Sequence, residues 1–211
     1  MQAIDLKLYG ITDNHWTGVR TLSEQVEEAL EHGVTCLQYR EKKLSPDKAF
    51  EQAKEIQSIC KAHRVPFIMN DDVELALRLD ADGVHVGQKD MEVRKARKLL
   101  GNDKILGVSA RTVEQARFAQ EQGADYLGVG AVFGTNTKED AKKLPYSSLC
   151  EICKSVTIPV VAIGGITYDN IDELAGSGIS GVAVISAIFG QKDIGMAAKA
   201  LKEKVEKICK G

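Results

Sequence analysis

The stretch Pro159–Phe189 reads PVVAIGGITYDNIDELAGSGISGVAVISAIF, and its punctuation decides the fold. A nearly continuous apolar run, Pro159–Ile163, stops at the double glycine Gly164-Gly165, and a second run, Gly181–Ile185, leads into Ser186-Ala187-Ile188-Phe189. Short runs without polar alternation suit parallel strands buried on both faces. Such strands need a crossover, and the segment between them closes on Leu174-Ala175 before Gly176 and Gly178, as a crossover helix would.

Outward from this stretch the same unit recurs. Further strands are predicted at Leu6–Thr12, Val34–Tyr39, Pro66–Met69, Gly83–Val86, Ile105–Val108 and Tyr126–Val132. Segments with helical spacing lie between them. The first, Leu22–His32, begins after a Thr21 cap and ends before Gly33, while Gly101 and Gly123 close later ones. No GxGxxG turn follows the first strand, as an open dinucleotide-binding sheet would require. The expected fold is therefore an α/β chain forming a (β/α)8 TIM barrel, one domain over residues 1–211.

Composition narrows the function. At 211 residues with 44% hydrophobic content, the chain can bury one continuous core near the lower size limit of such barrels. A net charge of −2 supplies no cationic field, so a nucleic-acid partner is not expected. No apolar run is long enough for a membrane span, and Met1-Gln2-Ala3-Ile4-Asp5 lacks the pattern of a secretion signal; a cytoplasmic protein is expected. Homo-oligomer formation is left open. Of five cysteines, Cys150 and Cys153 form a CxxC pair that could be redox-active or half a metal site. With no second CxxC and no histidine nearby in sequence, ordinary reduced thiols on an amphipathic segment, Tyr146–Ser155, are the better reading.

In a barrel of this kind chemistry collects in the loops after the strands. After the second comes Gln38-Tyr39-Arg40-Glu41-Lys42, where alternation points Gln38, Arg40 and Lys42 the same way, either toward one anion or into an ordinary charged loop. The third strand runs into Asn70-Asp71-Asp72 and the fourth into Gly87-Gln88-Lys89-Asp90. Carboxylates after neighbouring strands can share a hard cation, so Asp71 and Asp90 are assigned to Mg2+ and Asp72 to capping the helix from Val73. His85, between Val84 and Val86, reads as a satisfied barrel-wall histidine before a catalytic base.

The sixth strand ends in Phe133-Gly134-Thr135-Asn136-Thr137-Lys138, whose hydroxyls and lysine suit phosphate contact and loop closure. Gly164-Gly165 can expose backbone N–H groups, and a short helix from Ser186 would add its positive end. Loops seven and eight of barrels commonly hold a phosphate.

The segments QYREK, NDDVELALRLDADGVHVGQKDM, GVSART, ADYLGVGAVFGTNTKED, AIGGIT and GVAVISAIF together resemble the thiamine-phosphate synthase family, in order from YGITD at Tyr9–Asp13 to the last strand. The resemblance implies a transferase that joins hydroxymethylpyrimidine diphosphate to hydroxyethylthiazole phosphate and releases diphosphate with Mg2+. It implies that Gln38, Tyr39, Arg40, Glu41, Lys42, Asn70, Ser109 and Lys138 hold the pyrimidine diphosphate, with Arg40, Lys42, Ser109 and Lys138 acting in catalysis. Asp71 and Asp90 would bind the metal. Thr135, Asn136, Thr137, Gly165, Ile185 and Ser186 would form the thiazole-phosphate site. Ala131 and Gly134 stand where the family usually has proline, and Arg111 where histidine is common, which bears on loop stiffness and rate more than on reaction class.

Two other readings share the scaffold. A thiazole tautomerase would transfer a proton without metal, and retention of Arg40, Asp71 and Asp90 speaks against it. A non-catalytic phosphate sensor would tolerate loss of the carboxylates and leaving-group cations, all of which remain.

Overall fold

A computed structural model describes residues 4–134 and 143–209. Its strands are β1 (Leu8–Ile11), β2 (Cys36–Tyr39), β3 (Phe67–Asn70), β4 (Gly83–Val86), β5 (Ile105–Ala110), β6 (Tyr126–Gly130), β7 (Val160–Ile163) and β8 (Gly181–Val184). They pair in parallel and in chain order, and β8 closes on β1 through Leu8 opposite Val182. The helices are α1 (Leu22–Glu31), α2 (Pro46–His63), α3 (Val73–Arg78), α4 (Val93–Leu100), α5 (Val113–Glu121), α6 (Tyr146–Ser155), α7 (Ser186–Phe189) and α8 (Ile194–Ile208). The (β/α)8 barrel expected from the sequence is the observed architecture. No described helix is long and apolar enough to cross a membrane.

Local chemistry explains most boundaries. Thr21 and Glu24 form a reciprocal capping box at the start of α1, and Asp72 accepts from the Leu75 N–H at 2.8 Å to open α3. One helix falls short of its expectation. The crossover from β7 to β8 holds a 3-10 turn, Ile171–Leu174, in place of an α-helix. After β7 the chain makes a glycine turn, where Asn170 bonds both Thr167 N–H and Gly165 C=O, and Gly176 and Gly178, both at positive φ, end the helical turn soon after Leu174.

The strands build two cores. Outward side chains such as Leu8, Leu37, Phe67, Val84, Leu106 and Leu127 pack under the helices. Inward ones, including Tyr9, Cys36, Ile68, Tyr126, Val161 and Ala183, fill the barrel. At the strand starts, side chains just ahead of even strands satisfy their odd neighbours: Thr35 accepts from Leu8 N–H at 3.1 Å, Asp82 from Phe67 N–H at 2.8 Å and Asp125 from Leu106 N–H at 2.7 Å. Each N–H would otherwise lack a ladder partner.

Arg97 ties this lower face together. Its guanidinium donates to the carbonyls of Gly101, Lys104 and Gly123 and pairs with Asp125 at 2.5 Å. Arg97→Ala is expected to lower stability by about 2 kcal/mol or more, because it strips several carbonyls and a half-buried carboxylate of their donor. Urea unfolding at unchanged slope checks it; a loss within about 0.5 kcal/mol, as at ordinary surface sites, would refute the assignment.

Candidate active site

At the upper, C-terminal end of the strands the polar side chains gather. β3 and β4 are paired, with Asn70 opposite His85, so the residues after them are neighbours. Asp71 has φ 63°, a left-handed conformation uncommon outside glycine, and its N–H donates to His85 C=O at 2.8 Å. That turn carries its carboxyl into hydrogen-bonding reach of Asp90, whose own carboxyl accepts from Gly87 N–H at 2.7 Å. Lys42, from the loop after β2, reaches the same place and pairs with Asp71 at 2.6 Å.

The electrostatics follow from that crowding. Burial acts to raise the Asp71 carboxyl, but the Lys42 ammonium, together with hydrogen bonds from Asp90 and Asn70, holds the group below its ordinary value. Asp90 goes the other way. Burial and the neighbouring Asp71 carboxylate raise it, against the pull of the Gly87 N–H. Two carboxyl groups in contact cannot both ionise cheaply without a cation. A cleft of about 460 Å³ opens over them, lined also by Lys42, Asn70 and Met91.

The β2 loop, which alternation alone left as an anion cluster or an ordinary charged loop, divides in two. Gln38, buried inside the barrel, donates to the Tyr9 hydroxyl at 2.9 Å. Arg40 turns toward β1 and lies 3.7 Å from the Asp13 carboxylate, whereas Lys42 turns toward β3. Their shared direction from alternation leaves them on opposite sides of the β2 end, each beside a carboxylate. Tyr39 faces the helix layer, its hydroxyl lying 3.0 Å from Gln52 Oε1 and 3.2 Å from Ala49 C=O, the two acceptors within reach of its one proton. Glu41 is engaged locally, by Asn14 and by the N–H groups of Lys43 and Leu44. Burial opposes its charge, but those backbone donors prevail and keep it ionised below its usual range. A smaller recess of about 290 Å³ lies on this outer side, between Tyr39, Leu44 and Arg78.

Ser109 is the inward-facing residue near the end of β5, with its hydroxyl 2.9 Å from His85 Nε2. The other His85 nitrogen lies 3.0 Å from the Tyr126 hydroxyl. His85 thus has the satisfied barrel-wall position expected for it. Arg111 donates to Gly130 C=O at 2.7 Å at the base of the β6 loop. Thr135, Asn136, Thr137 and Lys138 lie outside the described residues.

On the far side of the mouth, the β6 and β7 loops are stitched together by Phe133 N–H donating to Gly164 C=O at 2.9 Å. Gly165 has φ 67°, and a Cβ there would lie 2.2 Å from Gly134 C=O. Only glycine fits that turn. β8 then leads through Ile185 into α7, a single turn beginning at Ser186 as the sequence suggested.

The mouth therefore joins a cation-paired carboxylate couple at β2–β4 to a backbone-lined turn at β7–β8. The model of the family described as thiamine monophosphate synthase matches residues 8–188, nearly the whole barrel. The chain belongs to this family. Its relatives include the thiamine-phosphate synthase of Ruminiclostridium cellulolyticum, 48% identical over 200 residues covering 95% of each chain. That of Methanobrevibacter smithii is 48% identical over 201 residues, covering 95% of this chain and 96% of the relative. Among solved structures, the thiamine phosphate pyrophosphorylase from Pyrococcus furiosus superposes with a TM-score of 0.90 at 39% identity, covering 99% of both chains. The chain is a transferase of the thiamine-phosphate synthase type, acting on small phosphorylated substrates. Within this synthase the residues missed by sequence reading are Tyr9, Asp13 and Tyr126. Tyr9 and Tyr126 sit at inward positions of β1 and β6, and an aromatic hydroxyl inside a barrel was the available signal.

Proposed function

We propose that this synthase binds the pyrimidine diphosphate over β2–β5 and the thiazole phosphate over β6–β8, with Mg2+ held by Asp71 and Asp90 at the diphosphate end. The observation that carries the reading is the Asp71–Asp90 contact beside Lys42 at the strand ends. Two carboxylates suit an octahedral Mg2+ that keeps its remaining positions for water and phosphate oxygens. When bound, the ion would offset the negative charge that builds on the departing diphosphate.

The chain's own residues supply the rest. Gln38, at the floor of the mouth, orients the pyrimidine; Arg40, Lys42 and Asn70 surround the diphosphate, with Ser109 donating from β5 and Lys138 from the β6 loop. Tyr39 and Glu41 support this segment by fixing its backbone against α2 and the β1 loop, a narrower part than direct contact. Thr135, Asn136 and Thr137 meet the thiazole phosphate with Gly165 and the backbone at Ile185-Ser186. The methylene carbon loses its bond to diphosphate oxygen and gains one to the thiazole nitrogen lone pair. No proton leaves, so no general base is required. Cleavage runs ahead of bond formation, through a pyrimidine methylene cation. The proposed setting is the cytoplasm. Incubating the purified protein with both phosphorylated substrates and Mg2+, with mass detection of thiamine phosphate, tests the reading; no product under those conditions would overturn it.

Two consequences are measurable. Mg2+ affinity should fall with acidification, and first at Asp90: its raised carboxyl takes up a proton at higher pH than Asp71, whose lowered one resists. Calorimetric Mg2+ titrations between about pH 4 and 6, a range that starts at the ordinary aspartate value of about 3.9 and extends above it to where a raised Asp90 takes up its proton, should show that decline; a flat profile would contradict the shared site. Gly165→Val should weaken thiazole-phosphate binding by on the order of tenfold or more, since its side chain must displace the Gly134 carbonyl and occupy the turn. Pyrimidine-diphosphate binding should change less. Equal losses for the two ligands, measured separately, would move Gly165 out of the thiazole site.

A further inference from the structure

A hydrogen-bonded chain crosses the barrel interior. Gln38 Nε2 donates to the Tyr9 hydroxyl at 2.9 Å, that hydroxyl meets Tyr126 at 2.8 Å, Tyr126 meets His85 Nδ1 at 3.0 Å, and His85 Nε2 meets Ser109 Oγ at 2.9 Å. The side chains come from β2, β1, β6, β4 and β5, so the chain links opposite walls of the barrel. Its two ends are residues assigned above to the pyrimidine diphosphate. Its middle is buried, with Tyr126 fully enclosed.

The strands are cut to hold this arrangement. A Cβ on Gly107 of β5 would lie 2.2 Å from Tyr126 Cζ and 2.5 Å from His85 Nδ1, and one on Gly128 of β6 would lie 2.9 Å from His85 Cε1. Two inward glycines thus vacate the space that the two rings occupy. Tyr9 and Tyr126 stack edge to face at 5.8 Å, which fixes both hydroxyls in a dry interior.

We propose that Tyr126 is a positioning residue for the reaction: through His85 it holds Ser109 with the hydroxyl hydrogen turned toward the departing diphosphate. The direction of the chain is set at one end. An amide N–H can only donate, so Tyr9 accepts from Gln38 and passes its own proton to Tyr126. Cys36, also beside the Tyr9 hydroxyl, is too weak a partner to reverse that order. Burial pushes both phenols well above their usual range, so each keeps the one proton it passes on. Tyr126 therefore donates to His85 Nδ1. A neutral ring that accepts at Nδ1 carries its proton on Nε2 and donates to Ser109 Oγ. The Ser109 hydrogen is then not needed inside the barrel and is available to a diphosphate oxygen, where a donor gains strength as charge develops. If the amide were reversed, every bond would reverse, and the Ser109 hydrogen would be spent on His85.

The proposal rests on the Ser109 role given above, and the test separates the two. In enzyme carrying nitrogen-15 histidine at neutral pH, the His85 signal, assigned by its loss in His85→Gln, is expected to show Nε2 protonated and Nδ1 bare. Tyr126→Phe removes one hydroxyl and keeps the ring. It should lower kcat by on the order of 10- to 100-fold through a misaimed donor, with KM values much less changed, and should abolish the single His85 tautomer. Added to Ser109→Ala, it should cost nothing further. Tyr9→Phe, which breaks the chain one bond earlier, gives the same readouts if Tyr126→Phe does not fold. Protonated Nδ1 in the native enzyme, unchanged kcat in the phenylalanine variants, or losses that multiply with Ser109→Ala would overturn the proposal while leaving Ser109 in the site. Unchanged kcat in Ser109→Ala itself would remove the Ser109 role and the proposal with it.

Discussion

Asp71→Ala and Asp90→Ala are each expected to lower kcat/KM by about 10²- to 10³-fold, the range seen when one charge-stabilising group is removed from a transition state. Neither side chain belongs to the described core clusters, so the barrel should survive both changes. The effect should be largest at low Mg2+, because the variants leave one carboxylate where the proposed site has two. Asp71 offers a sharper form of the test. At φ 63° its backbone is in a region that glycine occupies without strain. Asp71→Gly should therefore be as inactive as Asp71→Ala yet more stable than it, by roughly 0.5–1 kcal/mol. Thermal unfolding set beside Mg2+-dependent rates reads both quantities. Near-native activity in either alanine variant at low Mg2+ would remove that residue from the metal site, and a glycine variant less stable than the alanine one would contradict the backbone strain at position 71.

The carboxylate couple was legible because it depends on little besides strand order. Once β3 and β4 are neighbours, residues just past their ends must be close, and Asp71 and Asp90 are. Asp72 was separable by its cap spacing to Leu75. Gln38, Arg40 and Lys42 were harder. Alternation gives the side of the strand, but beyond Tyr39 the chain has left the ladder, and the choice of neighbour falls to Asp13 and Asp71, which pull the two cations apart.

Contacts across the barrel were not legible at all. Tyr9 and Tyr126 are separated by 117 positions and belong to strands that do not pair, so neither periodicity nor neighbour order brings them together. Only the closed geometry does. The β7–β8 crossover misled for a related reason: glycines after Leu174-Ala175 mark the end of an element without saying whether it is an α-helix or a short 3-10 turn.

Electron-withdrawing substituents on the pyrimidine ring are expected to slow the chemical step sharply, each about 1.4 kcal/mol of added cation destabilisation costing about tenfold. The motive lies in the residues gathered at the site. In the proposed site Arg40, Lys42 and Ser109 would flank the diphosphate and help charge leave, whereas the chemistry asks no residue to remove a proton. Such a site favours early departure of diphosphate and positive charge on the methylene. The ground state carries no such charge, so substrate affinity should change much less than rate. Single-turnover measurements at saturating substrate isolate this step from product release. A steep decline in rate with increasing withdrawal, at nearly constant affinity, is the expected pattern. Direct displacement by the thiazole nitrogen would respond in the opposite sense or scarcely at all, since a carbon under attack tolerates withdrawal. Rates that stay level or rise with withdrawal would exclude the cation and require the same residues to act on a concerted transfer.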